Sequence, residues 1–599
     1  MGDKWKALGA KGARVGIFTD HTGCHPTTGK HAVDLMHASK LVNLTAIFAP
    51  DQRGFRGAGS SDGKSNYDPK TGVRVFDAFR RRGADLASII RDADVDVIVV
   101  DMQDVGTRCY RCIWQLYDLL VACAILKRAD ESDPPAIQTK QKQTQKNIKV
   151  VVLDRPNPLG GTVTEGPVFV DDGKKSHMAR CSIPLRHGLT IGELAVLFND
   201  EFVKRDPLNK SGRAAASLKV IKMKRWRRTM GWADTCLPWT PPWADMPTSN
   251  TALAFVGTCL LQATNVSPGK GTTSPFELVG ARWADERFAE AMNTNVLRGG
   301  IPEVGRTYVS TGGPQSSARS LGAQRRTPDI LPRTSEILQR TPDTHPQTSG
   351  TPQRRTGGRS PFLASQSHDW SKTSVARSRN QKTRKSAPAA GPPVVWREVQ
   401  FVPEWGVDQN ERCVGAHAFV KHYQRALCLE GVLALLTMKI LYPRDFTWRE
   451  GFVSVGAAAR PSREASRINR AHNRASTLVS PVKPGGGFLA ARKQESSRNG
   501  SSRNQTSLRN GSNRNPFNPN PFRNPQNQLD DTVAAASSSS SVPLIDLLTG
   551  TSALRVALDS GGGGDAGTAT AQKVEGVFQE WEKQLAGFEK IRKRALLYP

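Results

Sequence analysis

The residues able to do chemistry gather in four short polar segments, each directly after an apolar run. Asp20-His21-Thr22-Gly23 follows Val15-Gly16-Ile17-Phe18-Thr19, and Asp51-Gln52-Arg53-Gly54-Phe55-Arg56-Gly57 follows the run from Leu44 to Ala49. Asp101-Met102-Gln103-Asp104-Val105-Gly106-Thr107-Arg108 comes after Val95 to Val100. Asp154-Arg155-Pro156-Asn157-Pro158-Leu159-Gly160-Gly161 comes after Ile148 to Leu153. Together they supply carboxylates and guanidiniums, groups that exchange protons and hold polar ligands. One such segment is ordinary; four brought to one edge make a site. The pair Cys109 and Cys112 reads as two half-buried residues at a helix start, because no second pair completes a zinc site. No metal site and no cofactor are expected. A dinucleotide cofactor is disfavoured in particular, since no G-x-G-x-x-G follows the first apolar run.

The elements that position these segments are legible in the runs themselves. VDVIVV at 95–100 and IKVVVL at 148–153 are β-branched and nearly continuous, as suits strands buried on both faces of a parallel sheet. Helical stretches are expected between them, around Thr28 to Lys40 and from Ile113 to Leu126. Strand–helix–strand alternation predicts an α/β, doubly wound parallel sheet, whose ligands bind beyond the carboxyl ends of the strands.

The formal charge of +30 over 599 residues is concentrated outside this pattern. Residues 306–396 carry a net +11 and residues 456–541 a net +9, in Ser/Thr/Pro/Arg-rich and Arg-Asn-rich text. Such segments bury too little apolar area to offset chain entropy, so both are expected to be disordered insertions. A polar stretch at 128–147 is read as a smaller insertion. The basic arms are read as solvated linkers and not as a nucleic-acid surface, although Arg clusters bind phosphate without specificity. Domains are therefore expected at 1–305, and at 394–455 together with 542–599, separated by insertions at 306–393 and 456–541. No run of about 18 apolar residues predicts a membrane helix. The start, Met1-Gly2-Asp3-Lys4-Trp5-Lys6, lacks a signal-peptide core, which makes a cytoplasmic location the default expectation.

Longer strings carry a family resemblance. VVDMQDVGTR at 99–108, VVLDRPNPLGG at 151–161, EGPV at 165–168 and IPLRHGLTIGELA at 183–195 occur in order. LPWTPP at 237–242, MPTSNTALAFVGT at 246–258 and TNVSPGKGTTSPFELVGARW at 264–283 follow, with looser matches at 413–420, 440–449 and 547–555. The chain resembles the NamZ-like exo-β-N-acetylmuramidases, peptidoglycan hexosaminidases with a Rossmann-like domain and a smaller C-terminal domain, here α+β. The resemblance implies removal of terminal N-acetylmuramic acid from the non-reducing end of peptidoglycan-derived glycans, with an amino-sugar glycan or muramyl fragment as partner. Glycoside hydrolysis uses two carboxyl groups, for which Glu165, Asp51, Asp154 and Asp101 are the candidates. Arg155, Asn157, Arg108, Gln103, Arg56, His187 and Asn265 are the candidate substrate-binding residues. Muramic acid carries a lactyl carboxylate, for which Arg155, Arg108 or Arg56 would supply a bidentate partner.

Departures from the family pattern support a rival expectation. The family's Glu-His-Gly loop reads Asp51-Gln52-Arg53-Gly54, its Asn-x-Thr-Gly reads Asp20-His21-Thr22-Gly23, and its Ser-Pro-Asn reads Trp243-Ala244-Asp245. A misplacement of about 1 Å costs on the order of a hundredfold in rate. The alternative is a catalytically weakened homologue that binds glycan or has been recruited as an interaction protein. Glu193, at a helix start, is expected to cap that helix.

Overall fold

A computed structural model of the chain describes residues 12–57, 66–127, 147–209, 215–294, 392–425, 427–452, 541–560 and 566–599. The three expected insertions lie almost wholly outside these residues.

Six strands form one parallel sheet: β1 (Arg14–Thr19), β2 (Asn43–Ala49), β3 (Arg74–Asp77), β4 (Val97–Asp101), β5 (Lys149–Leu153) and β6 (Ser217–Ile221), in the order β3-β2-β1-β4-β5-β6. All five pairings are parallel, so the carboxyl ends share one edge, and Thr19 pairs with Asp101 where the order reverses. Side-chain alternation divides the strands between two cores. Phe18, Phe48, Ile98, Val100, Val150 and Val152 face one, while Val15, Ile17, Ile47, Val97, Val99 and Val151 face the other. The four strands expected from apolar runs are present. The two edge strands were not legible: RVFD is four residues with exposed ends, and SLKVI is half-buried throughout.

Helix α1 (Ala32–His37) is shorter than the expected span, because the ring of His31 caps it by accepting from the Val33 N–H. Helix α2 (Gly83–Asp92) packs on α3 (Cys112–Leu126). Helix α3 is buried almost all round, with Trp114 only 1% exposed. Truncating such a side chain to alanine costs about 3–5 kcal/mol. Cys109 and Cys112 are buried free thiols at its start, more enclosed than the half-burial expected. Helix α4 (Ile191–Leu197) opens with a capping box between Thr190 and Glu193, the role expected of that glutamate.

A second, antiparallel sheet has the order β7-β9-β8, from β7 (Leu278–Ala281), β8 (Val394–Phe401) and β9 (Cys413–Val420). Its first strand thus lies upstream of the boundary expected at 305. Helix α5 (Ser249–Thr258) crosses α6 (Cys428–Leu441) at Gly257 and Gly431, where a Cβ on Gly431 would come within 2.1 Å of the Gly257 carbonyl oxygen. Only glycine permits that approach. The long helix α7 (Ala566–Ala595) buries Val574, Phe578, Trp581, Leu585 and Phe588 in the same continuous core as α3 and the sheet. Among the described residues no helix is long and apolar enough to cross a membrane, and no group of His, Cys, Asp and Glu is placed to hold a metal ion.

Candidate active site

The strand tips are laced together before any ligand arrives. Thr19 Oγ1 donates to the Asp101 carbonyl at 2.7 Å, tying β1 to β4. Asp20 accepts from the Thr22 N–H and hydroxyl, and Thr22 Oγ1 accepts from the Gln103 N–H at 2.9 Å. Burial pushes the Asp20 carboxyl above its usual range, against the pull of His21 and Thr22. Gln103 Nε2 donates to the carbonyls of Asp104 and Pro156, linking the loops after β4 and β5. Asn157 donates to Leu189 O and accepts from Leu159 N, which holds its own loop. Gly106 has φ +84°, and a Cβ there would sit 2.4 Å from Asn157 Oδ1, so this turn requires glycine.

A cleft of about 540 Å³ lies over the tips of β4, β5 and β6, within the size range of small-molecule sites. Its walls include Met36, Leu153, Met223, Trp226 and Leu237, and its polar lining includes Asp101, Arg155, Lys224 and Arg225. Arg155 Nε donates to Asp101 Oδ1 at 2.6 Å and Nη2 to the Cys24 carbonyl. Asp154 also borders the cleft, but its oxygens accept from Thr190 Oγ1, the Gly192 N–H, the Arg155 N–H and the Tyr598 hydroxyl. Burial lifts this carboxyl to about 6 despite those bonds.

A second group of polar side chains sits at the tips of β1 and β2, beneath the segment 239–245. Asp51 Oδ1 accepts from Arg53 N and Nε, and its Oδ2 lies 3.6 Å from Arg111 Nη2. Arg53 and Tyr110 both donate to the Pro242 carbonyl, and His21 Nε2 is 2.7 Å from the Pro241 carbonyl. That contact places the ring proton on Nε2 and leaves the buried Nδ1 without a partner among the described residues. Asp245 is 2% exposed, and its Oδ2 has no hydrogen-bond partner there, with Lys270 Nζ 3.9 Å away. Burial raises this carboxyl to about 6, while Lys270 and Arg53 pull it back. Lys270 also lies over the ring of Trp243, 4.9 Å from its centroid. Asp245 was named from the sequence only as a departure from a family pattern, and His21 as that and as part of the polar segment after the first apolar run, without a role for either. The signal that marks them is position: one follows β1 directly, and the other closes the Trp-x-Pro-Pro stretch.

Other expected site residues are placed elsewhere. Glu165 is buried, with Oε1 on Arg186 Nη1 at 2.9 Å and Oε2 on the Cys428 N–H at 2.9 Å; both oxygens are taken. Arg108 is fully buried and donates to the carbonyls of Pro167, Val168, Ile183 and Leu548. Arg56 pairs with Asp68 and Asp34. His187 is fully buried, with Nδ1 accepting from Leu189 N and Nε2 at 3.3 Å from Asp104. Asn265 bridges Thr447 N and Asp445 O, away from the sheet edge. Asp51, Asp101, Asp154, Arg155, Gln103 and Asn157 are brought to the edge; Glu165, Arg108, Arg56, His187 and Asn265 are engaged in internal contacts.

Comparison with known proteins agrees with this architecture. The N-terminal family model of exo-β-N-acetylmuramidase NamZ matches residues 15–250, and the C-terminal model matches residues 253–305. The peptidoglycan β-N-acetylmuramidase NamZ of Bacillus subtilis (strain 168) is 38% identical over 292 residues, 48% of this chain and 62% of the relative. The match thus spans less than two thirds of that relative's length. A crystal structure of a DUF1343 family protein from Bacteroides fragilis NCTC 9343 superposes with a TM-score of 0.56 at 19% identity, covering 100% of this chain and 97% of that one. That likeness is one of fold. Two NamZ models thus match consecutive stretches, 15–250 and 253–305, over the sheet and the start of the second domain, and in that part the chain is similar to the NamZ family.

Proposed function

We propose that the chain is a glycoside hydrolase that removes terminal N-acetylmuramic acid from the non-reducing end of peptidoglycan-derived glycans. The observation that carries this reading is Asp245, a buried carboxyl held near 6, one oxygen of which makes no hydrogen bond among the described residues and faces Lys270 at 3.9 Å. A carboxyl protonated at mildly acidic pH is the group needed to protonate a departing glycosidic oxygen. Its partner is Asp51, one of the four carboxylates expected from the sequence. Arg53 links the two: it binds Asp51 directly and its charge acts on Asp245. Asp51 then serves as base or nucleophile, the second carboxylate of glycosidase chemistry. Asp101 and Arg155 supply polar contacts to the sugar in the large cleft, whose wall includes Thr235 and Leu237, just ahead of the 239–245 segment in the chain.

The test is release of N-acetylmuramic acid from a chromogenic muramide. Asp245→Asn and Asp51→Asn are each expected to lower kcat about a hundredfold or more, the range for loss of a general acid or base, with unfolding midpoints unchanged. A second reading, glycan binding without turnover, has one observation in its favour: Asp51 is already held by Arg53 and lies near Arg111. Calorimetric binding of a muramyl fragment by well-folded protein, with no product formed, would establish it.

A further inference from the structure

The three guanidiniums expected to receive the lactyl carboxylate are all committed. Arg155 binds Asp101, Arg56 binds Asp34 and Asp68, and Arg108 is spent on four carbonyls. A different set of cations surrounds a small hollow on the same sheet edge. The hollow lies between the segment after β3 and the start of α3, has a volume of about 40 Å³, and is lined by Arg80, Arg111, Arg180 and His177 together with Phe79. At roughly 10–15 Å³ for one water, it has room for about three, the size of a carboxylate or phosphate head.

The charge there is arranged against the stability of the free protein. Arg111 occupies the N-cap of α3 and Arg82 the N-cap of α2, at the helix poles that favour anions. No acidic residue stands in the first turn of α3. Arg80 has φ +57°, a left-handed backbone that a side chain disfavours, and among the described residues no carboxylate lies within ion-pair distance of it. Desolvation and the charge of Arg111 make the Arg80 guanidinium easier to deprotonate. Arg80 and Arg111 sit over the same ring, 5.2 and 5.4 Å from the centroid of Phe79. Arg180 binds Asp118, the acidic side chain lining the hollow, and its buried Nε has no partner among the described residues. His177 is exposed as a residue, yet partial desolvation of its ring and the charges of Arg111, Arg80 and Arg180 lower its imidazole below its usual range, so it is neutral at pH 7 and able to donate one hydrogen bond.

We infer that this hollow is a receptor for a compact oxyanion carried by the saccharide, a carboxylate or a phosphate, bound by Arg80, Arg111, Arg180 and His177. An anion there offsets the mutual repulsion of the guanidiniums and completes the open donor of Arg180. Arg111, 3.6 Å from Asp51, couples the anion to the reacting end of the sugar. The inference rests on the glycan reading above and adds the group by which the sugar is selected.

The test is calorimetry on the full chain with three probes: methyl N-acetylmuramide, N-acetylglucosamine 6-phosphate and neutral N-acetylglucosamine. One or both anionic sugars are expected to bind about tenfold or more tightly than the neutral one, the range of a charge-assisted hydrogen bond. Which of the two does so identifies carboxylate or phosphate as the ligand group. Arg80→Ala is expected to remove that preference while the unfolding midpoint of the free protein stays level or rises. No preference for either anion, including no binding at all, overturns the inference, as does an equal loss for all three sugars in Arg80→Ala. Absence of muramide turnover with an Arg80-dependent preference intact would remove the hydrolase reading and leave the receptor standing. Turnover whose KM ignores Arg80→Ala would do the reverse.

Discussion

Arg155 at the tip of β5 donates to Asp101 at the tip of β4, 2.6 Å away, and so cross-links two neighbouring strands in the wall of the large cleft. Both side chains are largely buried, at 19% and 7% exposure. Breaking a buried pair from one side leaves an uncompensated charge and costs about 3 kcal/mol. Arg155→Met is therefore expected to lower the unfolding free energy by that amount, read as a lower urea midpoint at unchanged m. Arg155→Met with Asp101→Asn should recover most of it, because the stranded charge is removed. Equal midpoints for the single and double variants would show that the pair does not act as a unit.

Glu165 was expected to be a catalytic carboxylate, and its contacts predict a stability phenotype. Glu165→Gln leaves the fully buried Arg186 without its counter-charge. The expected loss is again about 3 kcal/mol, with kcat per folded molecule unchanged in the muramide assay. A fall in kcat at an unchanged midpoint would instead place Glu165 in the chemistry.

Asp245 predicts the pH profile. Its carboxyl, raised to about 6 chiefly by burial, must be protonated to act as an acid. Activity is thus expected to fall as pH rises through about 6, and kcat/KM should drop tenfold per unit beyond it, as for a single titrating group. In Asp245→Asn the residual rate should lose this alkaline limb. A limb that persists in the variant would assign the titration to another group.

Asp118, in α3, predicts how stability varies with pH. Burial lifts its carboxyl from 3.8 to about 7, even with Arg180 at 2.7 Å. A carboxyl raised on folding stabilises the folded state fully below its unfolded value and loses that contribution as pH climbs through the folded one. Over the window from about 4 to 7 the loss is on the order of 4 kcal/mol, at about 1.36 kcal/mol per unit. The wild-type urea midpoint should therefore fall between pH 5 and pH 7.5 by more than that of Asp118→Asn, which carries no titrating group there. Parallel behaviour of the two proteins would contradict the burial of this charge.

Much of the sheet was legible because strands buried on both faces leave a local trace. VIVVD and KVVVL are apolar at nearly every position, and the polar text after them marks their carboxyl ends. Strands β3 and β6 were not, since edge strands need only one covered face and tolerate the arginine of RVFD and the lysine of SLKVI. Of the candidate site, the carboxylates at the strand tips were readable by position alone. Asp245 was not, because what distinguishes it is its burial and an oxygen without a hydrogen bond among the described residues, neither of which is written in its neighbours.

By itself the amino-acid sequence determined the α/β class, the order of the loops at the sheet edge and the family pattern. These follow from short-range signals, the alternation of apolar runs with polar turns. Only the tertiary structure decided which charges are free to meet a ligand. Arg108 is spent on the carbonyl of Leu548, 440 residues away, and Glu165 on the N–H of Cys428, 263 residues away. The energy of a charge inside a protein depends on what surrounds it in space, and chain distance carries no information about that.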